Sequence, residues 1–155
     1  MPGRELKVET ELWVDAPPDR VFEWLTDPRA LERWWGEEGG QQFLDAEVDL
    51  RPGGRYLFRI ESRRGLMGRV QGEYMVVEPG RQLLCTWLAD WAGDAPCFLR
   101  FRLEPEGRGT RVLVSQRGFL AVEEGARVLG EPWNSVLEWL ARYAERTREE
   151  PAATP

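Results

Sequence analysis

Apolar and polar side chains alternate along most of the chain. Residues 6–14, LKVETELWV, show this two-residue period, which predicts a β-strand with one buried face and Trp13 on the polar side. The same pattern predicts six later strands, at residues 43–50, 55–62, 68–77, 82–88, 97–104 and 110–116. Short turns join most of them, so we expect one antiparallel, meandering sheet.

Two short helices are predicted between the first strand and the rest. Residues 16–28 contain prolines that can open a helix, followed by an apolar stripe that includes Val21 and Phe22. Asp27 is placed to cap a second helix, and Gly36 to close it.

The second helix carries two adjacent tryptophans, Trp34 and Trp35, at positions i+3 and i+4 from Leu31. Neighbouring helical positions point about 100° apart, so a single face does not easily bury both indoles. Two interpretations remain open: both rings are core, or one is core and the other forms the wall or rim of a cavity.

The longest amphipathic segment runs from Pro132 to about Arg148. Its apolar positions recur at helical spacing and are Trp133, Val136, Leu137, Leu140 and Ala144. The inner face of the sheet is the one large apolar surface left to cover them. The prediction is therefore an α+β fold of order β-α-α-β6-α, in which a curved antiparallel sheet wraps around the long C-terminal helix.

The 155 residues favour one domain over residues 1–149, with a disordered tail at 150–155. No apolar run has the length of a signal peptide or a membrane span, so we expect a cytoplasmic protein that does not insert into membranes.

The net charge of −6 argues against nucleic acid as a partner. An arginine cluster, Arg59, Arg63, Arg64 and Arg69, is interpreted as a solvated hairpin turn.

Few residues in the chain are suited to catalysis or metal binding. The chain has no histidine, which removes imidazole metal sites and His-activated nucleophiles, and we predict no metal, no cofactor and no catalytic residue. Cys85 and Cys97 are expected to be buried thiols. Asp90 and Asp94 are expected to form turns.

Two further polar residues stand out within strands. Gln116 continues the inward face of the last strand, either as a buried amide satisfied by nearby backbone or as a ligand contact. Glu73 lies in a strand with apolar residues on both faces, and an outward, solvated side chain is favoured.

Five segments in this order resemble one known family: VDAPPDRVFEWLTDPRALERWW, LRPGGRYLF, GEYMVVEPGRQLLCTW, FRLEPEGRGTRVLVSQRGF and PWNSVLEWLARY. They are similar to homologues of the activator of heat-shock protein ATPase, in the START-like (SRPBCC) superfamily of helix-grip domains. The resemblance covers about residues 6–146.

The resemblance implies a cavity between the sheet and the terminal helix, closed at one end by the two short helices. It matches family positions to Trp133, to the pair Trp34 and Trp35, and to Thr86 with Trp87. Many relatives have a histidine where this chain has Gln116, so the pocket lacks that proton-transfer group.

We therefore expect non-catalytic binding of a small, largely apolar ligand, aromatic or lipid-like, by a monomer or weak homodimer. The candidate ligand-binding residues are Trp34, Phe58, Tyr74, Trp87, Leu99, Phe101, Gln116, Trp133 and Leu137. One alternative is a module that binds a chaperone or other protein through its outer surface. A second is a polyketide cyclase-like enzyme that uses Tyr, Glu or Asp with an ordered water.

Overall fold

The computed structural model describes residues 4–36, 41–62, 67–89, 97–120 and 131–149. Its elements, in chain order, are β1 (Arg4–Val14), α1 (Pro18–Thr26), α2 (Pro28–Trp34), β2 (Gln41–Val48), β3 (Arg55–Ser62), β4 (Met67–Glu78), β5 (Gln82–Ala89), β6 (Cys97–Glu106), β7 (Gly109–Leu120) and α3 (Glu131–Glu149). The predicted α+β order is confirmed. The ends differ by a few residues: the strand predicted at 110–116 continues to Leu120, and the one predicted at 43–50 ends at Val48.

The seven strands form one antiparallel sheet in the order β1-β7-β6-β5-β4-β3-β2. Strands β2 to β7 follow the predicted meander, and β1 pairs with β7, with Val8 opposite Gln116. Two register shifts interrupt the ladders, between Phe43 and Asp45 in β2 and between Tyr74 and Val76 in β4. Such bulges bend the strands that contain them, which suits a sheet that curves around a helix.

Helix α3 covers the inner face of the sheet, as its apolar stripe predicted. All five stripe residues are buried, with Leu140 fully inaccessible to solvent. Trp139 and Tyr143 are buried as well, although the stripe did not include them. Tyr143 packs edge-on against Trp24 of α1, with 5.0 Å between ring centres. Helix α1 therefore covers this additional face of α3.

The two short helices meet at Asp27, whose side chain accepts a hydrogen bond from the Arg29 amide at 3.2 Å. This is the predicted cap, since it satisfies an amide that has no partner within α2. The chain leaves α2 through Gly36 at φ 76°, a left-handed conformation that glycine adopts without strain. The predicted closing position is therefore confirmed.

Several predictions about single residues are confirmed. Cys85 and Cys97 are buried, unpaired thiols, and the Glu73 side chain is exposed. Trp13, on the polar side of β1, is partly exposed and donates its indole N–H to the Glu106 carbonyl at 3.0 Å. Arg63, Arg64, Asp90, Asp94 and the tail at 150–155 lie outside the described residues. No helix within the described ranges is long and apolar enough to cross a membrane.

One carboxylate connects three distant parts of the chain. The Asp15 side chain, only 9% exposed, accepts from Arg108 Nε at 3.0 Å and from Arg148 Nη1 at 2.7 Å. Asp15 follows β1, Arg108 lies in the turn between β6 and β7, and Arg148 is in the last turn of α3. The two ion pairs therefore hold the end of α3 against one end of the sheet.

Replacing this carboxylate should destabilise the fold measurably. In Asp15→Asn we expect a loss of about 1 kcal/mol, because both arginines are more than half exposed and solvent screens the pairs. This corresponds to a melting temperature about 2–4 °C lower by circular dichroism. The control is Asp49→Asn, which removes an open surface pair with Arg51 and should leave the melting temperature nearly unchanged. Equal melting temperatures for the two variants would contradict the role of Asp15.

Candidate functional site

A cavity of about 30 Å³ lies in the core between the inner face of the sheet, the two short helices and the first turn of α3. Its wall consists of Leu25, Leu31, Trp34, Trp35, Tyr56, Phe58, Tyr74, Leu83, Cys85, Trp87, Leu99, Phe101 and Trp133. A volume of this size holds about one water molecule, whereas ligand pockets measure roughly 300 Å³ or more. The expected cavity is thus in the expected place, but it is nearly filled by side chains.

Seven of the nine candidate residues meet in this wall: Trp34, Phe58, Tyr74, Trp87, Leu99, Phe101 and Trp133. The other two, Gln116 and Leu137, are fully buried but do not line the cavity. The Gln116 amide points inward, as its strand position predicted, and its Oε1 accepts the Trp133 indole N–H at 2.9 Å. Its partner is therefore a side chain of α3 rather than the nearby backbone.

Six wall residues were not among the candidates: Leu25, Leu31, Trp35, Tyr56, Leu83 and Cys85. Two of them follow from the alternation already used, because Tyr56 precedes Phe58 by two residues on one strand face and Cys85 precedes Trp87 in the same way. Leu25 and Leu31 belong to the apolar faces of α1 and α2. The periodic signal was therefore present for these positions.

The adjacent tryptophans have different environments, and both line the cavity. Trp34 is fully buried and donates its indole N–H to the Trp24 carbonyl at 2.9 Å. Trp35 is 9% exposed and lies at the centre of an aromatic cluster. Its ring centre is 5.6–6.4 Å from those of Trp34, Phe43, Trp87, Trp133 and Trp139. Each indole is thus core and wall at once.

Tyr56 crosses the neighbouring strand over Gly72. The two residues are opposite each other in the β3–β4 register, and the Tyr56 hydroxyl reaches β5, where it donates to the Thr86 carbonyl at 2.6 Å. The Thr86 hydroxyl in turn accepts the Glu73 amide at 2.9 Å. A Cβ atom at position 72 would collide most closely with the Thr86 carbonyl oxygen and would also come within 2.7 Å of the Tyr56 ring, so this arrangement requires glycine.

The polar atoms of the cavity wall are uncharged. Burial raises the pKa of Tyr56 and of Tyr74, and it raises the pKa of Cys85 to about 12. The Cys85 thiol donates weakly to the Tyr56 oxygen, with 3.8 Å between sulfur and oxygen. Among the described residues that form the wall there is no Asp, Glu, Lys or Arg. The site therefore presents aromatic faces and a few neutral donors, which suits an uncharged, largely apolar molecule.

In the part of the chain that the structure describes, no group of three or more Cys, Asp or Glu side chains could hold a metal ion.

The buried Cys85 thiol predicts a loss of stability in alkali. Its pKa of about 12 in the folded protein exceeds the ordinary value of 9.0, so the unfolded chain loses its proton first. This contribution to stability is complete below pH 9 and is lost as the pH rises toward 12. We expect the melting temperature to fall over this interval, and less steeply in Cys85→Ala. Buried Tyr56 and Tyr74 act in the same direction, so part of the fall should remain; identical slopes would contradict the assignment.

Comparison with known proteins gives the fold and the family. Protein CV1439 from Chromobacterium violaceum is 28% identical, with a TM-score of 0.74, over 90% of this chain and 96% of that one. An AHSA1-like protein from Aeromonas hydrophila is 20% identical, with a TM-score of 0.72, over 97% and 99% of the two chains. DynU16, a protein of the dynemicin biosynthetic locus, is 24% identical, with a TM-score of 0.71, over 91% of this chain and 48% of that one.

No curated protein sequence matches the chain. The family model described as "Activator of Hsp90 ATPase homolog 1-like protein" matches residues 15–145, which include both short helices, β2 to β7 and most of α3. This is the family whose motifs the sequence resembles. The match spans most of the chain, and the protein therefore belongs to the family of Activator of Hsp90 ATPase homolog 1-like proteins.

Proposed function

We propose that the protein binds a small, largely apolar ligand between the sheet and α3, without catalysing a reaction. The observation that carries the proposal is the wall itself: thirteen residues, each aliphatic, aromatic or a thiol, enclose a space that their own side chains leave partly empty. Protein interiors contain few voids larger than a water molecule, and this one is bounded on every described side by apolar side chains and neutral polar groups. A gap bounded by aromatic rings offers the surface on which a flat apolar molecule packs.

The ligand gains its room by displacing those rings of the cluster that reach solvent. Trp35 and Trp87 both line the cavity and both keep some contact with solvent, whereas Leu99 in the same wall is 1% exposed. Their rings stack with 6.4 Å between centres. Outward movement of this stacked pair exposes the cavity, and a ligand that replaces the lost ring contacts offsets the cost of opening.

The nine candidate residues then divide by position. The seven in the wall contact the ligand. Gln116 acts through Trp133, because its amide fixes the indole N–H and so the plane of the ring. Leu137 is 1% exposed and follows Trp133 by one helical turn on the same side of α3, a position from which it supports that indole.

A second candidate function is the binding of a chaperone or another protein through the outer surface. The small size of the cavity favours it, since a module of this kind needs no internal space. Phe98, which lies on the outer face of β6 and is 47% exposed, would belong to such a surface. The cyclase-like alternative would have to use Tyr56 or Tyr74 to move a proton, since the described wall contains no carboxylate.

Filling the cavity should abolish ligand binding. In the wild type we expect the uncharged fluorescent probe N-phenyl-1-naphthylamine to bind saturably, one molecule per chain, and to perturb tryptophan emission. Leu99→Trp adds bulk to the wall and should weaken this binding about tenfold or more. The matched control is Leu103→Trp, on the same face of β6 but outside the wall, which should change binding less than about twofold.

Both substitutions overpack a dense core and should cost about 1–3 kcal/mol, so the melting temperatures of the two variants should fall together while their affinities separate. If the wild type does not bind the probe, or if both variants lose binding equally, the interior is not a ligand site. The outer-surface function would then be the one to pursue.

A further inference from the structure

Tyr74 has a buried hydroxyl that the protein leaves without a hydrogen-bond partner among the described residues. It is 2% exposed and lines the cavity, opposite Cys85 in the β4–β5 register. The contrast with Tyr56 is direct, because the two rings lie 5.2 Å apart. Tyr56 donates to the Thr86 carbonyl and accepts from the Cys85 thiol. Tyr74 makes neither kind of contact within the described chain.

A buried O–H without an acceptor is unfavourable, and buried polar groups in folded proteins almost always have partners. Burial also raises the pKa of Tyr74, so the hydroxyl keeps its proton and stays a donor across the physiological range. The adjacent space of about 30 Å³ is large enough for one oxygen atom with its substituent or for one water. The missing acceptor can therefore come from a molecule in the cavity.

We propose that the Tyr74 hydroxyl anchors the ligand, which is an uncharged aromatic or alicyclic molecule with one acceptor oxygen, such as a ketone, an ester or an ether. The inference rests on the proposed function and narrows its ligand class. A pure hydrocarbon leaves the hydroxyl unsatisfied, and a carboxylate would enter a wall whose described residues include no cation. Rings that stay in the wall, such as those of Phe58 and Phe101, pack against the apolar body.

The test uses two probes that differ only at the proposed acceptor, 2-acetylnaphthalene and 2-ethylnaphthalene. Their dissociation constants are measured by tryptophan quenching for the wild type and for Tyr74→Phe. Loss of one neutral hydrogen bond should weaken the ketone about five- to tenfold and leave the hydrocarbon within about twofold. The ratio of the two constants isolates the hydrogen bond from any change in packing. In infrared spectra, the carbonyl band of the bound ketone should lie at lower frequency in the wild type than in Tyr74→Phe.

Tyr56→Phe is the matched control, because it removes a hydroxyl from the same wall that already has a protein acceptor. It should lower the melting temperature without changing the ratio, whereas Tyr74→Phe should change the ratio without lowering the melting temperature. If both probes bind and Tyr74→Phe changes their dissociation constants equally, the proposed hydrogen bond from Tyr74 to the ligand is refuted, while the proposed function stands. If neither probe binds the wild type, the proposed function fails, and the anchor with it.

Discussion

The structure depends on how the inner face of a seven-stranded sheet is removed from water. One helix of 19 residues, α3, supplies most of the cover, and two short helices supply the rest. A helix is much narrower than such a sheet, so the strands must curve toward it, and the bulges in β2 and β4 bend two of them. The Asp15 carboxylate fixes one end of this arrangement, and the Trp133–Gln116 hydrogen bond fixes the other.

Aromatic rings fill the space that remains. They suit a curved interior because each covers a large area with few rotatable bonds, and pairs at 5–6.5 Å between centres attract one another. Rigid rings meet at angles, however, and cannot fill every corner as flexible chains do. The small cavity is one consequence. Another is that a single indole displaced from the cluster would free far more volume than the cavity now contains, which reconciles a nearly solid core with the ligand binding that we propose.

The sequence predicted this architecture because each element has a regular period and a single buried face. The alternation in β6 and the spacing in α3 placed Leu99, Phe101 and Trp133 correctly in the core. The volume of the cavity could not be predicted, since it depends on ring orientations that only the assembled neighbours determine. The same holds for Gln116: its direction follows from strand period, but its partner lies on a helix that follows it in the chain and packs across the core. The two-residue period also places Tyr56 and Cys85 on the same strand faces as Phe58 and Trp87. The sequence therefore contained the signal for these two wall residues.

The crossing of Tyr56 over Gly72 has a consequence for how this chain can change over generations. A side chain at position 72 collides with the Thr86 carbonyl as well as with the ring, while loss of the ring leaves the glycine uncovered and the Thr86 carbonyl without its donor. Neither position can be substituted at low cost, and the Thr86 carbonyl requires glycine at position 72 even without the ring, so we expect both residues to be retained. Because glycine also weakens a strand interior, the tyrosine ring that covers Gly72 and bonds the Thr86 carbonyl offsets this local weakness of β4. Within a lineage that keeps this pair, variation should accumulate on the exposed faces of these strands and leave the path across the sheet unchanged.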